Sequence, residues 1–117
     1  MRLKRWMASL ALAVIGTAAS ALYGSAPRRI EITASRFSYS PSKITLKRGE
    51  PVVLALTSRD VTHGLAIKEL GIKKEIPKGQ TTEVDITPME TGTFQGNCSH
   101  FCGKGHVGMT LTIDVEN

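Results

Sequence analysis

From Ile30 onward the chain is a succession of short runs in which apolar and polar residues alternate. Ile30-Glu31-Ile32-Thr33 alternates, and Phe37 and Tyr39 carry the alternation to a break at Pro41. Lys43-Ile44-Thr45-Leu46-Lys47 alternates again and stops at Gly49. Thr82-Glu83-Val84-Asp85-Ile86 does so up to Pro88, and the stretch from Met109 to Val115 closes the chain in the same way. A period of two sends successive side chains to opposite faces of a strand, so each run has one face for a core and one for water. Pro51-Val52-Val53-Leu54-Ala55-Leu56-Thr57 is denser in apolar residues, which predicts a central strand buried on both sides. Leu65-Ala66-Ile67, Gly71-Ile72 and Thr91-Gly92-Thr93-Phe94 are shorter pieces, and Pro77-Lys78-Gly79 marks a turn. Short strands at close spacing, separated by Gly and Pro and without a long helical period, predict an all-β sandwich or barrel.

The first residues read differently. A basic start (Arg2, Lys4, Arg5) precedes an apolar run from Trp6 to Ala19, and small residues end in Ala19-Ser20-Ala21. That is the layout of a secretory signal peptide cut after Ala21, and equally of a single membrane anchor. Either way, basic residues before the apolar run stay inside, so the remainder is expected outside the cytoplasm, in the periplasm or on the outer face of the membrane. The division expected is therefore 1–26 for signal peptide or anchor with a short linker, and 27–117 for one folded domain. A domain so small buries a modest core, and a bound metal would add to its stability.

The formal charge of +5 weighs less than it first suggests. Three of the 15 Lys and Arg residues lie in the leader, and the rest nearly balance the 10 Asp and Glu. The remaining basic residues are scattered singly or in pairs, so no nucleic-acid-binding face is expected. Gly103-Lys104-Gly105 is too short for a phosphate loop, and no Ser, His and carboxylate grouping suggests a catalytic nucleophile.

Candidate chemistry is concentrated in one Gly-rich stretch, Asn97 to Met109. It holds both cysteines, Cys98 and Cys102, together with His100, His106 and Met109; the third histidine, His63, follows the dense apolar run. Thiolate, thioether and imidazole are soft to borderline donors that select copper, and a thioether is a poor ligand for zinc. Two cysteines four apart, a histidine four further and a methionine three beyond that allow two thiolates to bridge two coppers. His63, His106, Met109 and one backbone carbonyl would supply the terminal ligands. A plain Cys98–Cys102 disulfide, a zinc site from two Cys and two His, and a mononuclear copper site using one Cys all remain open on spacing alone. His100 is a surface residue or an alternative copper ligand besides offering its carbonyl. Met109 reads either as a ligand or as the first core residue of the last strand, and Met89 as packing or surface. Phe101 is expected to shield the site from water, and Asp60 either to orient His63 or to be solvated.

Cys98-x-His100-x-Cys102-x3-His106-x2-Met109, with Val61-Thr62-His63-Gly64 upstream, resembles the CuA domain of cytochrome c oxidase subunit II, and the similar domain of nitrous oxide reductase. The likeness runs from about Phe37 to Val115. It implies a cupredoxin Greek-key β-sandwich and a dinuclear copper centre. It further implies Cys98 and Cys102 as bridging thiolates, His63 with Met109 on one copper, and His106 with the carbonyl of His100 on the other. The function implied is single-electron transfer with a redox partner such as a c-type cytochrome or an oxidase subunit, by a protein that is not an enzyme alone but is suited to be a subunit of a terminal oxidase. Storage or delivery of copper outside the cytoplasm, and a mononuclear cupredoxin, are the alternatives. This chain departs from the family in three places. His100 stands where subunit II usually has a metal-holding glutamate, the only tryptophan is Trp6 in the leader, and there is room for one membrane helix rather than a two-helix hairpin.

Overall fold

The alternating runs become strands because each offers one apolar face to a shared core. A computed structural model describes residues 26–117. Among them are nine strands: β1 (Arg28–Ser35), β2 (Ser38–Ser40), β3 (Lys43–Lys47), β4 (Val52–Ser58), β5 (His63–Ile67), β6 (Ile72–Ile76), β7 (Thr82–Ile86), β8 (Gly92–Asn97) and β9 (Thr110–Glu116). Single 3-10 turns occupy Lys68–Leu70 and His106–Gly108. One sheet has the order β2-β1-β4-β7 and the other β3-β9-β8-β5-β6. The layout is the all-β sandwich that the patterning predicts. The leader and its cleavage lie outside the described residues, among which no helix is long and apolar enough to cross a membrane.

The faces follow the sequence closely. In β3, Ile44 and Leu46 are buried while Lys43, Thr45 and Lys47 are exposed, and β9 buries Leu111, Ile113 and Val115. These two strands run parallel, with Ile44 opposite Ile113 and Leu46 opposite Val115. Strand β4 lies between β1, to which it is parallel, and β7, to which it is antiparallel. Its Leu54, Ala55 and Leu56 are all fully buried, which is the two-sided burial expected of the dense apolar run. Ile32, Leu54, Leu56, Leu65, Ile67, Leu111 and Ile113 belong to one core that joins both sheets.

Two differences from the patterning are informative. Strand β6 extends over Ile72–Ile76, although only Gly71-Ile72 reads as a strand; Lys73, Lys74 and Glu75 are all exposed. Main-chain pairing with β5 makes this a strand, with His63 opposite Ile76 and Ile67 opposite Ile72. Lysines on such an edge also discourage pairing with other chains. The second difference concerns Phe37. Strands β1 and β2 form a hairpin in which Ser35 faces Ser38, so the chain reverses at Arg36-Phe37. Tyr39 still points into the core, but Phe37 is partly exposed at the tip.

The register that matters most for the site is that of β8 on β9, with Gly96 opposite Leu111 and Asn97 opposite Thr110. Gly96 permits a close approach to β5, since a Cβ there would lie 2.5 Å from Ile67 Cγ1 and 2.9 Å from Leu65 Cδ1. Gly96→Ala is therefore expected to destabilise the fold by about 1–3 kcal/mol through overpacking, read from urea unfolding. A loss below about 0.5 kcal/mol would mean that Leu65 and Ile67 move aside freely.

Candidate metal centre

Strand β8 ends at Asn97, and the chain then leaves the sheet and returns at Thr110. The excursion is tied at its base, where the Cys98 N–H donates to the Met109 carbonyl at 3.3 Å. Near its return it is stiffened by the turn at His106–Gly108: His106 N–H donates to Gly103 O at 3.1 Å and Met109 N–H to His106 O at 3.2 Å. Inside this loop the two free thiols face each other, with Cys98 Sγ and Cys102 Sγ 3.7 Å apart. Cys98 Sγ also lies 3.1 Å from the His100 carbonyl, and Cys102 Sγ lies 4.0 Å from His106 Nδ1. His63, the first residue of β5, completes the group. Its ligand atom and those of Cys98 and Cys102 all fall within 4.8 Å of one another, and all three residues are buried.

His63 is the one buried polar residue of the described core. Its Nε2 lies 2.7 Å from Asp60 Oδ1. Burial alone would raise the Asp60 carboxyl. Hydrogen bonds from the Arg36 N–H, the His63 ring and the Val61 N–H outweigh it and hold the group well below the usual carboxylate range. An ionised Asp60 accepts the Nε2–H, which leaves the lone pair on Nδ1. That Nδ1 is buried and has no hydrogen-bond partner. A buried imidazole nitrogen, oriented by a carboxylate and left unpaired beside two thiols, is what a soft metal requires of its ligands, so the residues present fit copper. Burial pushes the Cys102 thiol up to about 11, helped by the hydrogen bond and charge of Cys98. Tyr39 shares this environment. Burial first, and then the nearby cysteines, raise its hydroxyl above the ordinary range, and it donates to the Gly64 carbonyl next to His63.

Of the residues singled out by sequence, His63, Cys98, Cys102, His106 and the His100 carbonyl are thus brought together. Met109 is fully buried at the point where the loop rejoins β9. The His100 side chain takes no part in this group; it is partly exposed and pairs with Glu75, Nδ1 to Oε2 3.3 Å. Met89 is exposed in the connection from β7 to β8. Phe101 differs from expectation. It is 72% exposed, and its ring leans on His106 with centroids 5.6 Å apart, so it covers one edge of the loop rather than sealing it.

The cupredoxin-like domain family matches residues 6–110. The chain belongs to that family. This cupredoxin is similar to cytochrome c oxidase subunit 2 of Thermus thermophilus, with 32% identity over 87 residues that cover 74% of the chain and 64% of that protein. A match of the same length covers 52% of a second subunit 2 from Thermus thermophilus, so the chain spans between about half and two thirds of these relatives. Among solved structures it resembles the periplasmic domain of subunit II of cytochrome oxidase (CoxB) of Bradyrhizobium japonicum. The TM-score is 0.71 at 21% identity, over 78% of this chain and 85% of that one, a likeness of fold. A heme-copper terminal oxidase dimer contains a chain that matches with a TM-score of 0.70 at 27% identity, over 80% of this cupredoxin and 67% of that chain.

Sequence patterning missed three residues that shape the centre. Arg36 and Phe37 reach the loop from the β1–β2 turn, and nothing in their spacing marks them. Tyr39 carried a usable signal, since a tyrosine on a core-facing position needs a partner for its hydroxyl. The elevated Cys102 thiol sets a pH dependence for the metal-free, reduced protein. A group whose folded value is raised contributes stability that is whole below the unfolded value, about 8.5 for a thiol, and lost as pH climbs through about 11. Urea midpoints should fall across that interval in the native chain and fall less in Cys102→Ser; equal falls would contradict the assignment.

Proposed function

We propose that this cupredoxin holds two copper ions in a centre of the CuA type and passes single electrons between protein partners outside the cytoplasm. The observation that carries the reading is the pair of buried thiols 3.7 Å apart beside the unpartnered Nδ1 of His63. Cys98 and Cys102 would bridge the metals, with His63 and Met109 terminal to one and His106 and the His100 carbonyl terminal to the other. A copper pair held there would supply a one-electron couple.

The protein's part is to hold these donors still. The Cys98–Met109 main-chain bond and the turn at His106–Gly108 fix the loop, and Asp60 fixes the ring of His63. Donors that do not move between redox states keep the reorganisation small, and small reorganisation favours fast transfer. Both thiols must lose their protons to act as ligands, so copper uptake releases protons and is weakened by acid. Phe101 and Val107, 72% and 83% exposed, give the loop an apolar rim suited to brief docking of a redox partner. A c-type cytochrome or an oxidase subunit is the partner we assign. The likeness to subunit II supports placing the domain in the periplasm or at the outer face of the membrane, exported or anchored through residues 1–26.

Copper content and EPR of the full chain test the reading. Two coppers per chain, with one signal split by both nuclei, are expected, and Cys102→Ser should abolish the shared splitting. One copper split by a single nucleus would make the protein a mononuclear cupredoxin. Copper that is surrendered readily to an apo-oxidase would make it a copper donor instead.

A further inference from the structure

Arg36 offers no ligand atom, yet it touches both the loop that leads into His63 and the loop that carries Cys102. Its main-chain N–H donates to Asp60 Oδ2 at 2.8 Å, while the other oxygen of Asp60 holds His63 Nε2 at 2.7 Å. Its side chain turns the other way, and Nε donates to the Cys102 carbonyl at 2.8 Å. Phe37, next in the chain, braces the same loop. A Cβ on Gly103 would lie 2.9 Å from Phe37 Cζ, and one on Gly105 2.6 Å from Phe37 Cδ2, so the ring rests directly on that backbone.

We infer that Arg36 is a positioning residue for the metal centre, joining the loop that carries Asp60, which orients His63, to the loop that carries Cys102 and so setting the separation of His63 and Cys102. The surroundings give the contact its importance. A cleft of about 250 Å³, lined by Val61, Thr62, Phe101 and Cys102 among others, separates the two loops beside Arg36. Beside that cleft Arg36 ties the two loops by hydrogen bonds, and Phe37 adds its packing on the Gly103 and Gly105 backbone. A guanidinium donor to a carbonyl is a charge-assisted bond, stronger than a neutral one, and its planar geometry restrains orientation as well as distance. Its positive charge also stands beside the Cys102 end of the site, where it favours the more electron-rich state of anything bound there.

The inference stands on the metal-free geometry and rests on the copper reading only in the second part of its test. The first part is amide hydrogen exchange on the full-length chain, reduced and metal-free, as native protein, Arg36→Gln and Arg36→Lys. Arg36→Gln should speed exchange at the His106 and Met109 amides about tenfold, the worth of one charge-assisted hydrogen bond, and leave the amides of β4 and β9 unchanged. Arg36→Lys, which keeps the charge but not the planar donor, should fall between the two, and it decides the matter if Arg36→Gln does not fold. Unchanged exchange at His106, or acceleration spread evenly over the strands, would overturn the inference. The second part is the reduction potential of the copper-loaded chain, expected to drop in Arg36→Gln and to stay near the native value in Arg36→Lys. A potential equal in all three proteins overturns the electrostatic half of the role. A native chain that retains no copper would instead remove the functional reading, with the exchange result still deciding the part of Arg36.

Discussion

The cysteine-bearing end of this domain depends on the pairing of β8 with β9. Asn97 faces Thr110 at the last step of that ladder, and the Cys98 N–H continues it by donating to the Met109 carbonyl. A register slip of one residue would turn every side chain on β9 to the opposite face. The alternation of buried Leu111, Ile113 and Val115 with more exposed Thr110, Thr112 and Asp114 forbids that slip. The hydrophobic core therefore fixes where the loop begins and ends. Once those ends are fixed, the Gly-rich chain between them can curl until two thiols, an imidazole and a carbonyl meet.

His63 shows a second constraint at work. A fully buried imidazole is costly unless its polar atoms are satisfied. Asp60 satisfies one nitrogen and leaves the other bare, which is a defect in a domain without metal and a provision in one that binds it. The same tension holds for Cys102, whose burial favours the neutral thiol although a metal needs the thiolate. Folding and metal binding would thus pull the site's chemistry in opposite directions, and a bound ion would reconcile them.

Much of this was legible in the sequence, for identifiable reasons. Strands β3 and β9 have one solvated face each and alternate cleanly, and β4 betrays its central place by Leu54, Ala55 and Leu56 in succession. The cysteines and His106 lie in a single loop, and the spacing that grouped them is matched by their approach to one another. Asp60 and His63 are only three residues apart, and their contact was one of two readings open from the outset. What could not be read depended on the stacking of distant elements. Strand β6 is defined by main-chain bonds at an edge, with Lys73, Lys74 and Glu75 facing water. Arg36 meets Cys102 across 66 residues of chain, and Phe37 finds Gly103 and Gly105 only after the β1–β2 turn has been placed over the loop. Phe101 looked like a lid because it lies between two cysteine-bearing positions, but sequence neighbours on a tight loop point in different directions.

The oxygen that approaches Cys98 belongs to the backbone of His100, while the side chain at that position turns away to Glu75. Any amino acid except one that distorts the main chain can present the same carbonyl. The side chain at position 100 is therefore uncoupled from that contact. Evolution can change the side chain there to recruit a different neighbour, shed one, or alter local charge, and the contact with Cys98 inherits none of the change. A site that draws one contact from the peptide unit keeps a degree of evolutionary freedom at its own rim.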